Sequence, residues 1–204
     1  MNRFLAAALA LALPLLAAGP VRAEPSSLTQ EEFKLWKEYK DALEDKRVQS
    51  MPEGKRLGAI AKNFKIPEKK LREAVDKGEK DGPAIGKQSE DAIKTALADT
   101  DFASRIKEIR VDTSAPHVIT YVHWAADKTE SIDKEACLAA VRTQKAAPVT
   151  GTISVWATDP KDDGKKLFEA LISSEAAQKM KEGQIVDFAS TRYLKLFEKV
   201  KRAE

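Results

Sequence analysis

The sequence predicts an α+β fold, in which an N-terminal three-helix unit precedes a small, mainly antiparallel three-stranded sheet packed by helices. Apolar residues recur at helical spacing through residues 29–77. Residues 106–112 and 117–124 instead alternate apolar and polar side chains, which is typical of strands. A short turn containing Pro116 joins these two strands, so we expect them to be antiparallel neighbours. The order expected after the helical unit is α-β-β-α-β-α-α.

Residues 1–23 have the features of a secretory signal peptide. Arg3 supplies the charged start, residues 4–16 form an Ala- and Leu-rich run, and Val21 and Ala23 stand at positions −3 and −1 of a cleavage site. The run is shorter than the roughly 20 apolar residues that a membrane-spanning helix needs. We therefore expect an exported protein, periplasmic or extracellular, that is not an integral membrane protein after signal removal. A short uncleaved anchor is the alternative.

Charge and cysteine content narrow the function classes. The chain of 204 residues has a formal net charge of +3. Removing Arg3 and Arg22 with the signal lowers it to about +1, which gives no basis for a polyanion partner. Cys137 is the only cysteine, so no disulfide forms within the chain. It lies on the apolar face of a predicted helix, where we expect it to be buried. An intermolecular disulfide or a reactive thiol is the alternative.

The helical unit is predicted over residues 24–77. Thr29 and Glu32 have the spacing of a capping box, and an apolar face follows them at helical steps. Further helices are expected at residues 53–64 and from Pro67 onward, with Gly78 ending the second of them. The glycines and proline of residues 78–88 predict a linker, which leaves residues 89–204 as the α+β domain.

Residues 57–76 carry a pattern of small and apolar residues spaced to pack two helices across a tight turn. These residues are Ala61, Phe64, Ile66, Leu71 and Val75. The segment resembles the helix-turn-helix unit of DNA-binding proteins. The resemblance implies that the second helix enters the major groove, where Lys69, Lys70 and Arg72 contact phosphates or bases. Lys65 replaces the common turn glycine, and three carboxylates share the second helix. We interpret the segment as a compact packing unit.

The first part of the α+β domain alternates between helical and strand periods. A helix is expected at residues 89–98, followed by the two strands already named. The helix containing Cys137 comes next, and a third strand is expected at residues 152–158. Residues 159–164 resemble a calcium loop, but Lys161 and Ala170 occupy positions where oxygen ligands belong. This stretch is therefore expected to be a turn that leads from a strand into a helix.

Three helices are predicted to close the chain. The first places four apolar residues on one face, Leu167, Phe168, Leu171 and Ile172. A short helix is expected at residues 175–181. The last, at residues 189–202, brings together Tyr193, Leu194, Phe197 and Val200, and its terminal cations suit the negative end of the helix dipole.

The two histidines are candidate ligands, but their spacing excludes a shared metal ion. His117 and His123 lie six residues apart on one predicted strand, about 20 Å between backbones at 3.3 Å per residue. Zinc ligands must converge within roughly 2.1 Å of one ion. The face carrying Val118, Thr120, Val122 and Trp124 is expected to be the core face. Tyr121 and His123 then lie exposed or under a helix, as candidate binding residues, and whether Trp156 joins them in lining a cavity or packing a core is open.

The sequence predicts an exported, non-enzymatic binding or interaction protein whose partner is a protein or a small ligand. No catalytic, cofactor or metal-binding motif of known spacing occurs in it. The candidate contact residues are the basic face of the helical unit (Lys69, Lys70 and Arg72) and Tyr121 with His123. DNA binding through residues 57–76 is the alternative if the N-terminus is not an export signal. An exported hydrolase without a recognisable motif is a second alternative.

Overall fold

The α+β class is confirmed by a computed structural model, which describes residues 27–185 and 190–203. Helices come first, and a five-stranded mixed sheet follows where three strands were predicted. The predicted signal peptide lies outside the described residues. The helices are α1 (Gln30–Leu43), α2 (Lys46–Gln49), α3 (Glu53–Asn63), α4 (Glu68–Asp81), α5 (Ile85–Leu97), α6 (Ile132–Ala146), α7 (Ser174–Gln178) and α8 (Ser190–Tyr193). The strands are β1 (Ile106–Asp112), β2 (Ile119–Ala125), β3 (Thr152–Asp159), β4 (Asp162–Ser173) and β5 (Glu198–Arg202).

The start of α1 is fixed by the predicted capping box. The Glu32 backbone N–H donates to the Thr29 hydroxyl at 3.3 Å, and the Thr29 N–H donates to the Glu32 carboxylate at 2.9 Å. Two backbone donors that the first turn would leave unpaired are thereby satisfied. The capping-box prediction is confirmed.

A tight turn joins α3 to α4, as the two-helix pattern predicts. The Ile66 N–H donates to the Ala61 carbonyl at 3.1 Å and the Lys65 N–H to the Lys62 carbonyl at 3.2 Å, which together form a Schellman motif. Lys65 adopts a φ of 56°, the left-handed region that this motif requires and that glycine adopts without strain. A lysine therefore holds the turn at a conformational cost.

Residues 78–88, for which the sequence predicts a linker, are helical over most of their length. Helix α4 continues to Asp81, a 3₁₀ turn covers Gly82–Ala84, and α5 starts at Ile85. Trp36 of α1 explains the glycines, because a Cβ on Gly78 or Gly82 would overlap the indole ring. The glycines make room for a side chain instead of breaking the helix. The division of the chain into domains at this point stays a prediction.

The sheet runs in the order β1-β2-β3-β4-β5. Strands β1 and β2 are antiparallel, as predicted, and β2 and β3 are parallel because α6 connects them. Strands β3 and β4 form an antiparallel hairpin, and its turn has Asp159 and Asp162 accepting backbone N–H groups of Lys161 and Gly164. A turn is present at the expected position, but it leads into strand β4, whereas the sequence predicted that it leads into a helix.

The helix predicted around Leu167 is wrong, because residues 162–173 form strand β4. Apolar residues at positions 167, 168, 171 and 172 fit a helical face and a strand buried unequally on two faces equally well. Phe168 and Ile172 alternate into the buried core, whereas Leu167 and Leu171 lie partly buried on the opposite side. Pairing along almost all of β3 decides in favour of the strand.

The predicted helix at residues 189–202 is also wrong for most of its length. Only Ser190–Tyr193 is α-helical, a 3₁₀ turn follows, and β5 pairs antiparallel with β4. Tyr193 and Phe197 are nevertheless buried as predicted, and Val200 is exposed. The short helix predicted at residues 175–181 is confirmed as α7 but ends at Gln178.

One face of the sheet and the helices enclose the main core, in which Val122, Trp124 and Phe168 are fully or almost fully buried. A second apolar cluster forms around Ile60, Ala61 and Leu71 between the N-terminal helices. Helix α1 joins the two clusters, because its Phe33 and Trp36 belong to the main core while Leu35 and Tyr39 contact the second one.

The start of α1 is also fastened to the sheet by a side chain. Gln30 donates from Nε2 to the Pro116 carbonyl at 2.7 Å and accepts the Val118 N–H at 3.0 Å. These bonds hold the entrance of α1 against the segment that leads into β2. The helical unit and the sheet are therefore joined by both apolar and polar contacts.

Candidate open-face binding site

Side chains of strand β2 alternate between the buried core and a partly exposed surface on the other side of the sheet. Thr120, Val122 and Trp124 are completely buried, so the predicted core face is confirmed. Tyr121 and His123 point to the opposite side of the sheet and are partly buried. We call this side the open face; its central residues are Arg110, Tyr121, His123, Trp156 and Glu169.

Strand register brings three rings together on the open face. His123 stands opposite Trp156 across the parallel β2–β3 pair, and the two rings stack with centroids 4.9 Å apart at an interplanar angle of 18°. Tyr121 meets Trp156 at 6.1 Å in an edge-on arrangement at 74°. Both geometries are among those that ring quadrupoles favour. Tyr121, His123 and Trp156 form the aromatic cluster.

Two cations lie against the aromatic cluster. The guanidinium carbon of Arg110 is 4.1 Å from the centroid of Tyr121, and the ammonium nitrogen of Lys166 is 5.7 Å from that of Trp156. Lys166 comes from β4 and His123 from β2, which flank β3 on opposite sides, so they approach Trp156 from opposite sides. Both contacts are within the range of cation–π attraction.

Both cations are also paired with carboxylates. Arg110 lies 3.2 Å from Glu108 and 3.9 Å from Asp112 on its own strand. Lys166 lies 3.3 Å from Glu169. These side chains are exposed by a third or more, so each pair contributes about 0–1 kcal/mol. The aromatic cluster is therefore bordered by donors and acceptors in adjacent pairs, with three carboxylates to two cations among these residues.

His123 is held as a neutral ring. Its Nε2 lies 3.0 Å from the Thr158 hydroxyl, which is buried. Burial lowers the pKa of His123 below its ordinary value, against the opposing attraction of Asp163 and Glu108. The imidazole that stacks on Trp156 is accordingly uncharged at neutral pH.

The two histidines lie apart, as their spacing requires. His117 precedes β2, is exposed, and contacts the Thr152 hydroxyl at 2.8 Å. Thr152 and Thr158 lie at opposite ends of β3, so each histidine has its own hydroxyl partner. In residues 27–185 and 190–203, no group of three or more His, Cys, Asp or Glu residues could hold a metal ion.

The cations predicted on the helical unit lie on α4, which packs against α1 and α3. Lys69 lies 3.8 Å from Glu73, Lys70 2.6 Å from Glu31 of α1, and Arg72 2.8 Å from Glu68. A cleft of about 500 Å³ between α1 and α4 is lined by Leu35, Pro67 and several of these charged residues. The positive charges of α4 are thus balanced by carboxylates on α4 itself and on α1.

Cys137 is completely buried in α6, which confirms the expected burial. Burial raises the pKa of its thiol to about 12, with a smaller contribution from Asp133. A thiol that is buried and protonated at neutral pH is not a nucleophile. Cys137 therefore acts as a small core residue.

Several open-face residues were missed by reasoning from the sequence. Arg110 and Lys166 become contacts of the aromatic cluster only through the register of β1 with β2 and of β3 with β4. The alternation of residues 106–112 already marked Arg110 as solvent-facing, but nothing local indicates which strand lies beside it. Lys166 lay in a segment predicted to be helical.

Comparison with protein-family models, with curated proteins and with solved structures returned no match. Among the described residues, no helix combines the length and apolar character needed to cross a membrane.

Proposed function

We propose that this protein is an exported, non-enzymatic binding protein that contacts its partner through the open face of the sheet. The aromatic cluster carries the proposal. Its three rings lie partly exposed on the open face, while the opposite face packs against helices in the main core. Trp, Tyr and Arg are enriched among the residues that contribute most to binding at protein contact surfaces, and Tyr and Trp bury a large area with few rotatable bonds.

A purely structural role for the aromatic cluster is the competing explanation. Cross-strand pairs stabilise sheets by roughly 0.2–1 kcal/mol each, and the His123–Trp156 stack is such a pair. That role does not need Arg110 and Lys166 to lie against the rings at the solvent edge. The two explanations differ in whether truncating Trp156 costs binding or only stability.

Export rests on residues 1–23, whose charged start, apolar centre and small-residue exit support a cleaved signal. The test is to express the full-length chain with a C-terminal tag and to fractionate the cells. The mature protein should leave the cytoplasm with Glu24 at its N-terminus. A cytoplasmic product that retains Met1 would contradict export and favour the DNA-binding alternative.

DNA binding has one observation in its favour, the tight turn between α3 and α4. We rank it second, because Lys70 and Arg72 lie within 2.6 and 2.8 Å of carboxylates, which would have to be displaced by phosphate. A gel shift that depends on salt and is lost in Lys69→Glu with Lys70→Glu would support it.

The contact surface can be tested by photo-crosslinking in the producing cells. A photoreactive residue at Lys201, which pairs with Glu169 at the rim of the open face, should give a discrete adduct. The same residue at Lys55, exposed on α3, is the matched control and should not give it. Equal labelling from both positions, or an adduct from Lys55 alone, would contradict the open face as the contact surface.

A further inference from the structure

We infer that the partner of the open face is an uncharged polysaccharide. This inference rests on the proposed function, because it names the chemistry that the same face recognises. It is argued from the balance of charge, the accessibility of the ring faces, and the pairing of donors with acceptors.

The balance of charge argues against a polyanion. Arg110 is flanked by Glu108 and Asp112, and Lys166 is paired with Glu169. A phosphate or sulfate placed near either cation would meet a carboxylate within a few ångströms, so its attraction to the cation would be largely cancelled. An uncharged ligand meets no such opposition.

The ring faces nearest solvent are covered by two side chains that are themselves about half exposed. Lys166 lies 5.7 Å from the Trp156 centroid, and its side chain is 53% exposed. Arg110 lies closer to Tyr121, at 4.1 Å, and its side chain is 50% exposed. Side chains this exposed move aside at little cost. The C–H face of a pyranose carries partial positive charge and fits the electron-rich face of an aromatic ring, as the cations now do.

Adjacent donors and acceptors suit hydroxyl groups, since each hydroxyl both donates and accepts. Glu108 beside Arg110, and Glu169 beside Lys166, offer an acceptor and a donor within 3.3 Å of each other. The partners lie on both sides of the aromatic cluster, from β1 to β4. That distance is three strand spacings, about 14 Å, which exceeds a single sugar ring and points to a chain of several sugars.

The experiment is affinity electrophoresis and sedimentation of the mature protein with four uncharged polysaccharides, namely cellulose, chitin, xylan and amylose. Heparin and single-stranded DNA serve as charged probes. At least one uncharged polymer should retain the protein equally at low and high salt. Tyr121→Ala and Trp156→Ala should each weaken that binding about tenfold or more. Lys69→Glu with Lys70→Glu, on α4, should leave it unchanged.

Several results would overturn the inference. The inference fails if none of the four uncharged polymers retains the protein. It also fails if only heparin or DNA retains it, in a salt-dependent way. Retention that survives both ring substitutions in protein with a native circular dichroism spectrum would overturn it as well. A dimer that dissociates in Trp156→Ala would show the open face bound to a second copy, which keeps the proposed contact surface but removes the polysaccharide. Failure of the Lys201 crosslink would instead remove the proposed function itself.

Discussion

The sequence predicts two candidate contact surfaces, the basic face of α4 and the open face of the sheet. They differ in which side chains they leave exposed. On α4, the cations are exposed but each lies near a carboxylate, and the apolar residues Leu71 and Ala74 are completely buried. On the open face, the ions are paired as well, but the rings of Tyr121 and Trp156 remain partly exposed between them. Paired surface ions contribute little to binding, whereas exposed aromatic area is available to a partner. If the open face is the contact surface, as we propose, charge alone is the poorer guide to it.

This comparison assumes that the helical unit and the sheet fold together, and Trp36 tests the assumption. Trp36 is almost completely buried against Gly78 and Gly82 and also contacts the main core. Trp36→Ala should lower the free energy of unfolding by about 3–5 kcal/mol, because it leaves a large cavity. Thermal unfolding should then show a single lowered transition by both circular dichroism and fluorescence. Two separate transitions in the unsubstituted protein would show that the regions unfold independently.

The next test compares the two faces of the sheet. Trp124→Ala should cost about 3–5 kcal/mol, because it creates a cavity and leaves the buried Glu135 without its indole donor at 2.6 Å. Trp156→Ala on the open face should cost only roughly 1 kcal/mol, the scale of cross-strand pairs. Urea unfolding of both variants measures the difference. Similar losses would mean that Trp156 stabilises the fold as strongly as a core residue does. The aromatic cluster would then be explained by stability alone, without a binding role.

The chain fold could be predicted wherever its determinants are local. The capping box at Thr29 and Glu32 and the alternation of β2 each lie within a few residues, and both are confirmed. Strand β4 could not be recognised, because Leu167 and Phe168 fit a helix and a strand equally until β3 supplies a partner. The contacts of Arg110 and Lys166 with the rings likewise depend on strand register, which is a property of distant segments.

The prediction that Gly78 ends a helix was wrong for a related reason, namely a contact with a distant residue. Gly78 favours a helix end when it is considered alone. In the structure it lies inside α4 beside the indole of Trp36, 42 residues earlier in the chain, so its role depends on a non-local contact. The converse case is Lys65, where a lysine occupies a left-handed backbone conformation that glycine would adopt more easily.

A third prediction concerns this turn of the helical unit. Lys65→Gly should stabilise the protein by about 1 kcal/mol, because it removes the strain of a left-handed non-glycine residue. Lys62→Gly is the matched control, and it should destabilise by a similar amount, because position 62 is inside α3. Midpoints of urea unfolding for the two variants should move in opposite directions. A destabilising Lys65→Gly would show that the turn is not strained.

The pH dependence of stability offers a smaller effect, specific to the open face. The folded-state pKa of His123 is lowered, so the unfolded chain takes up the proton first as the pH falls. The contribution of His123 to stability is present above the unfolded pKa of about 6.5 and is lost below it. His123→Gln should therefore reduce the loss of stability between neutral and mildly acidic pH. An unchanged pH profile would indicate that burial does not lower the pKa of His123 in the folded protein.

The smallest effect is expected on α4. Lys70→Ala removes the 2.6 Å ion pair with Glu31, but both side chains are about half exposed or more, so stability should change by at most about 1 kcal/mol. Denaturant unfolding of Lys70→Ala and of Glu31→Ala checks this. A much larger loss in either variant would show that the charges of α4 hold the helical unit together more strongly than their exposure suggests.

The central claim is that partners contact the open face and not α4, and one crosslinking comparison tests it most directly. The photoreactive residue at Lys201 is combined in turn with Trp156→Ala and with Lys69→Glu plus Lys70→Glu, and the yield of the adduct is measured in cells. We expect the adduct to disappear in the first background and to persist in the second. The reverse result, loss with the α4 substitutions and persistence without Trp156, would contradict it.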